Sequence, residues 1–140
     1  MSRSFEDIEA RIAALGQGGS EAVPAARELL ALGEEVLETW IAARGDVPTD
    51  ELKEGFRILA LHRQGAKGDP SFNACRETAR ELVYHYNLIT LEPDDPATAS
   101  RVAMMSMIAG HLCLFVGGKM EVAGLGEFCC SSRPVRAGGG

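Results

Sequence analysis

The sequence predicts an all-α protein: a compact bundle of four to five helices followed by an irregular, glycine-rich C-terminal arm. Three observations carry this. Apolar residues recur three and four positions apart through most of the chain up to residue 116, the spacing of one face of a helix. Ser, Thr or Asp followed by early acids, and glycines at the far ends, punctuate that pattern as helix starts and stops. No run of alternating apolar and polar residues pairs with another across a tight turn, so no hairpin is expected.

Ser4 caps the first predicted helix, with Asp7 as a capping-box acid. Phe5, Ile8, Ile12 and Leu15 form its stripe, and Gly16, Gly18 and Gly19 end it. Ser20 opens the second, with Pro24 early enough to be tolerated. Val23, Ala26, Leu30, Leu37 and Trp40 or Ile41 face its core, and Gly45 stops it. Thr49 is the expected cap of the third, because Asp50, Glu51 and Glu54 suit the positive end of a helix dipole. Leu52, Phe56, Leu59 and Arg63 then share a side. Asp69 and Pro70 start the fourth as cap and first residue, with a stripe of Phe72, Cys75, Ala79, Leu82, Val83 and Tyr86. A fifth helix over about 96–116 is apolar nearly all round. Such a helix sits at the centre of a bundle or in a subunit interface.

From Gly117 onward, Gly117, Gly118, Gly124 and Gly126 break the periodicity. The expected organisation is a helical bundle over 1–117, with 118–140 as an arm that joins the same domain or stays flexible. A chain of 140 residues suits one domain. At that size roughly two thirds of the unfolded surface can be buried, so no staple is required.

The net charge is −6. Residues 1–60 hold six Lys/Arg against twelve Asp/Glu, and residues 61–140 hold eight of each, so the acid excess lies wholly in the first part. That balance argues against nucleic acid and anionic membranes as partners, since both need basic surface. The N-terminus has acids where a secretory leader has bases. The apolar stretch over 102–116 spans 15 residues and contains Ser106, Gly110 and His111, against the roughly 20 that a bilayer span needs. A cytoplasmic location with reduced thiols is the expectation.

His62, His85 and His111 fall on three different predicted helices. A di-iron bundle needs Glu three residues before its histidines, but those positions hold Leu59, Leu82 and Ile108. His111 lies among Met104, Met105, Met107, Leu112 and Phe115, where a buried imidazole needs a partner or a ligand role. Cys75 and Cys113 fall on apolar faces and behave as small hydrophobes. Cys129 and Cys130 are adjacent, which lacks the two-residue gap that lets paired thiolates converge on one metal. A metal ion would need the arm folded back on the fifth helix so that Cys129 or Cys130 joins Cys113, His111 or Cys75. Arg133 and Arg136 lie close enough in sequence to lower a thiol pKa there.

Other chemistry is excluded by pattern. No G-x-S-x-G nucleophile elbow occurs. The stretch GAKGDP precedes a helix but lacks phosphate-loop spacing, and Asp69 would repel a phosphate there. Without a catalytic pair, the reading leans away from an enzyme. It favours a small cytoplasmic binding or accessory protein that self-associates or docks to a larger protein, with Phe128, Tyr84 and Tyr86 as contact residues. The alternative is a thiol- or metal-dependent protein using His111, Cys113, Cys129 and Cys130.

Overall fold

The structure, a computed structural model, describes residues 3–125. Five α-helices account for it: α1 (Phe5–Gly16), α2 (Ala22–Ala43), α3 (Arg57–Ala66), α4 (Arg76–Leu91) and α5 (Thr98–Ala123). A 3₁₀ segment, Pro70–Cys75, leads into α4, and no strand occurs among the described residues. The all-α bundle is therefore as predicted.

The two long helices organise the molecule. α2 contacts each of the other four, and α5 lies against α1, α2 and α4. Their shared core holds Leu29, Leu32, Val36, Leu82, Met105, Leu112 and Val116, all essentially without solvent contact. Gly33 lets α2 approach closely, because a Cβ there would lie 3.0 Å from Ile58 Cδ1 and 3.2 Å from Leu82 Cδ1. α1 begins as expected, with Ser4 Oγ accepting from the Asp7 amide at 3.1 Å and Ile8, Ile12 and Leu15 buried. It is seated on α5 by Ser106 Oγ, which donates to the Ile12 carbonyl at 2.8 Å.

The third helix starts later than the sequence suggests. Thr49 does not cap it; its hydroxyl accepts from the Glu51 amide within an extended segment. The interruption is a tight turn at Lys53 and Phe56, which exchange backbone hydrogen bonds at 3.1 and 3.0 Å. Its central residues, Glu54 and Gly55, have φ of 55° and 86°, the backbone of a type I′ turn. The acids read as dipole partners pair instead with later cations. Asp50 meets Arg57 at 3.5 Å, Glu51 meets Arg63 at 3.6 Å, and Glu54 meets Arg80 at 2.9 Å. Arg57 also pairs with Glu34 and Glu38 on α2. Gln64 holds the segment from below, accepting from the Thr49 amide and donating to the Val47 carbonyl, both at 2.8 Å. Leu52 and Phe56 therefore lie outside the helix and do not set its buried face, which includes Ile58, Leu61, His62 and Gly65, so His62 is inside and Arg63 outside.

The fifth helix is longer than expected. It passes through Gly117 and Gly118, and ends at Gly124 with φ of 71°. There the Leu125 amide donates to the Met120 carbonyl at 2.8 Å and the Gly124 amide to the Glu121 carbonyl at 3.1 Å, a Schellman closure. Gly117 packs rather than breaks: its missing Cβ leaves room for Phe5 Cδ2, which would otherwise sit 3.1 Å away. At 26 residues, α5 is long and apolar enough to cross a membrane by length and composition, while 44% of its most apolar window is buried within the bundle. The predicted boundary at 117–118 thus falls inside a helix, and the rest of the arm lies beyond the described residues.

Candidate functional site

α5 is apolar on all sides, but the bundle covers only part of it. Val102, Met105, Ala109, Leu112, Cys113 and Val116 point inward. Met104, Met107 and Leu114 point out, with 45%, 55% and 62% of their surface in solvent. These three, with Gly110 and His111, fall on one face at helical spacing. Beside α1 the face opens into a groove of about 540 Å³ whose lining includes Met107, Gly110, His111 and Leu114 from α5 and Ala13 from α1, with Glu9 at its edge. A Cβ at Gly110 would meet nothing within 4 Å, so the backbone itself is approachable there.

The surroundings anticipated for His111 are therefore corrected: it is exposed rather than buried. An all-apolar helix has no polar face to mark the solvent side, so the sequence could not orient it. The buried histidine is His62, 5% exposed, whose ring Nε2 lies 3.1 Å from the Phe72 carbonyl and donates to it. Its ring stacks on Phe72, which stacks in turn on Trp40, whose indole N–H donates to the Gly65 carbonyl at 3.0 Å. Burial lowers the His62 pKa, Arg76 and Lys53 lower it further, and only the Phe72 carbonyl opposes them. The stripe Ile58, Leu61, His62, Gly65 was the available signal for this burial, hidden by the wrong helix start.

The sequence-predicted metal ligands are not brought together where they are described. Cys113 is buried, with its Sγ 3.7 Å from the Phe5 carbonyl, while His111, two residues earlier, faces solvent. Cys129 and Cys130 lie outside the described residues, as does Phe128. Among the described residues no group of three His, Cys, Asp or Glu side chains is placed to hold a metal ion. Burial pushes both described thiols, Cys75 and Cys113, up to about 12, so they are protonated and unreactive as they stand. Of the predicted contact tyrosines, Tyr84 is exposed, whereas Tyr86 is half-buried with its ring edge-on to Phe56 at 5.8 Å.

No protein-family model matches this chain, and no curated protein or solved structure matches it either.

Proposed function

We propose that this is a small cytoplasmic binding protein that self-associates through the outer face of α5 and serves as an accessory or assembly subunit. The observation that carries the reading is the exposed run of Met104, Met107 and Leu114 on the most apolar helix of the bundle. Large apolar side chains grouped on one surface mark a contact site more often than scattered ones do. A second copy suits the face for a geometric reason. An antiparallel crossing of two α5 helices, with its two-fold axis between Gly110 and His111, sets Met107 of one copy opposite Leu114 of the other. The open backbone at Gly110 then lies at the crossing point, where helices need small residues to come close. Glu9 beside the groove favours a protein contact over hydrocarbon.

Native mass spectrometry with Met107→Glu and Leu114→Glu tests this. The expected wild type is a dimer, and the double variant a monomer of unchanged helicity, because neither side chain supports the core. A monomeric wild type at micromolar concentration would overturn self-association. The thiol- or metal-dependent alternative rests on Cys129 and Cys130, and the described residues lend it no support.

A further inference from the structure

A second concavity lies between α3, the turn at Lys53 and α4. It measures about 750 Å³ and shares no residue with the α1–α5 groove. Its lining carries five cations, Lys53, Arg63, Lys67, Arg76 and Arg80, against one acid, Glu51. That local excess occurs in a chain whose net charge is −6.

The pairing pattern sharpens the contrast. Elsewhere among the described residues most arginines and lysines are neutralised, Arg3 with Glu35, Arg11 with Glu28, Arg57 with Glu38, Arg101 with Glu92 and Lys119 with Asp69, leaving Arg27 and Arg44 without an ion pair. Of the five in the groove, Arg80 is paired with Glu54, and Arg63 meets Glu51 only at 3.6 Å. Lys53, Lys67 and Arg76 make no ion pair with any described residue. Like charges held around one depression repel one another, and an anion between them relieves that. Lys53 on the turn and Arg76 at the head of α4 come from different elements yet line this one depression together with the buried His62, and Glu54, already paired with Arg80, is the acid that both cations also reach. Asp69, which the sequence sets against a phosphate at GAKGDP, does not line the groove; Lys119 and Ser71 hold it at 2.9 and 2.6 Å.

We propose that this groove binds a small organic multianion bearing phosphoryl groups. The volume is that of a small-molecule site. Arg76 offers the planar fork that meets phosphate oxygens in pairs, and Lys53 and Lys67 supply point charges at its sides. Asn73, exposed on the same wall, adds an amide donor.

The test is calorimetric titration with inorganic pyrophosphate at low ionic strength, with the His62 ring resonances followed by NMR. Saturable binding of one pyrophosphate per chain is expected, with the His62 signals moving as it fills. The combined change Lys53→Gln with Arg76→Gln should weaken binding at least about tenfold. Arg27→Gln on α2, which is not among the groove's lining residues, should leave it unchanged; circular dichroism would show that both variants are folded. No saturable binding, or equal loss in the Arg27→Gln protein, would overturn the site. Citrate binding as tightly would overturn the phosphoryl assignment. Tighter binding of a single-stranded oligonucleotide, with shifts spreading beyond the groove, would overturn the small-ligand assignment.

Discussion

Two positions show how single atoms decide the packing. Gly16 ends α1 against α5, and a Cβ there would lie 2.4 Å from Ser106 Oγ and 2.7 Å from Ser106 Cβ. Helix propensity alone predicts that Gly16→Ala stabilises by about 1 kcal/mol. Overpacking costs about 1–3 kcal/mol and also displaces the hydroxyl that donates to Ile12. The clash should win, so chemical denaturation of Gly16→Ala should show a net loss. Ser106→Gly costs stability in the wild type through the lost hydrogen bond and helix propensity, but should cost much less in the Gly16→Ala chain, where it also removes the clash; additive losses in the double variant would show that the two residues do not meet. His62 makes a pH-dependent contribution. Its folded pKa is below the ordinary value of 6.5, so the unfolded chain binds the extra proton first. Its share of stability is present above about pH 6.5 and is lost as pH falls through the lower folded value. His62→Gln retains a donor for the Phe72 carbonyl and removes the titration. Stability of that variant should be nearly flat between about pH 6.5 and 5, where the wild type declines; parallel curves would assign the decline to other groups.

At the scale of elements, what the sequence revealed follows from how local each signal is. The start of α1 was legible because Ser4 acts within one turn, whereas Asp69 and Pro70, read as the start of the fourth helix, open a 3₁₀ segment without a side-chain cap from Asp69, and α4 itself begins at Arg76. The start of α3 was not legible, since Thr49 and its acids look like a helix N-terminus until their partners Arg57, Arg63 and Arg80 are brought close by the fold. That seven-residue error in the start counted Leu52 and Phe56 into the stripe and concealed His62, and with it the cationic groove. The end of α5 was missed for the opposite reason. Two glycines in succession resemble a stop, yet Gly117 is needed by Phe5, and packing of the apolar faces outweighs their combined cost of about 2 kcal/mol. The pair gives a direct test. Gly118 has nothing within 4 Å of a Cβ, so Gly118→Ala should raise stability by about 1 kcal/mol. At Gly117 the same change meets Phe5 and should gain less or nothing. Equal small effects at both positions would mean that the helix stops before them.

Across the whole molecule, the two surfaces carry opposite electrostatics, and salt should therefore move them in opposite directions. The acid excess of the first 60 residues includes Glu6 and Glu9 at the α1–α5 groove. Two copies that meet there bring chains of charge −6 together around an apolar seam. Association across that seam is driven by burial of Met107 and Leu114, which salt does not weaken, and is opposed by repulsion, which salt screens over about 10 Å at 0.1 M. The dimer should tighten as sodium chloride is raised. Pyrophosphate in the α3–α4 groove is held by charge attraction and should loosen over the same range. Sedimentation equilibrium and calorimetry across one salt series would read both. A dimer that dissociates as salt rises would mean that ion pairs, not the methionine and leucine face, hold the copies together. It would move the contact away from α5 toward the charged surface of α1 and α2.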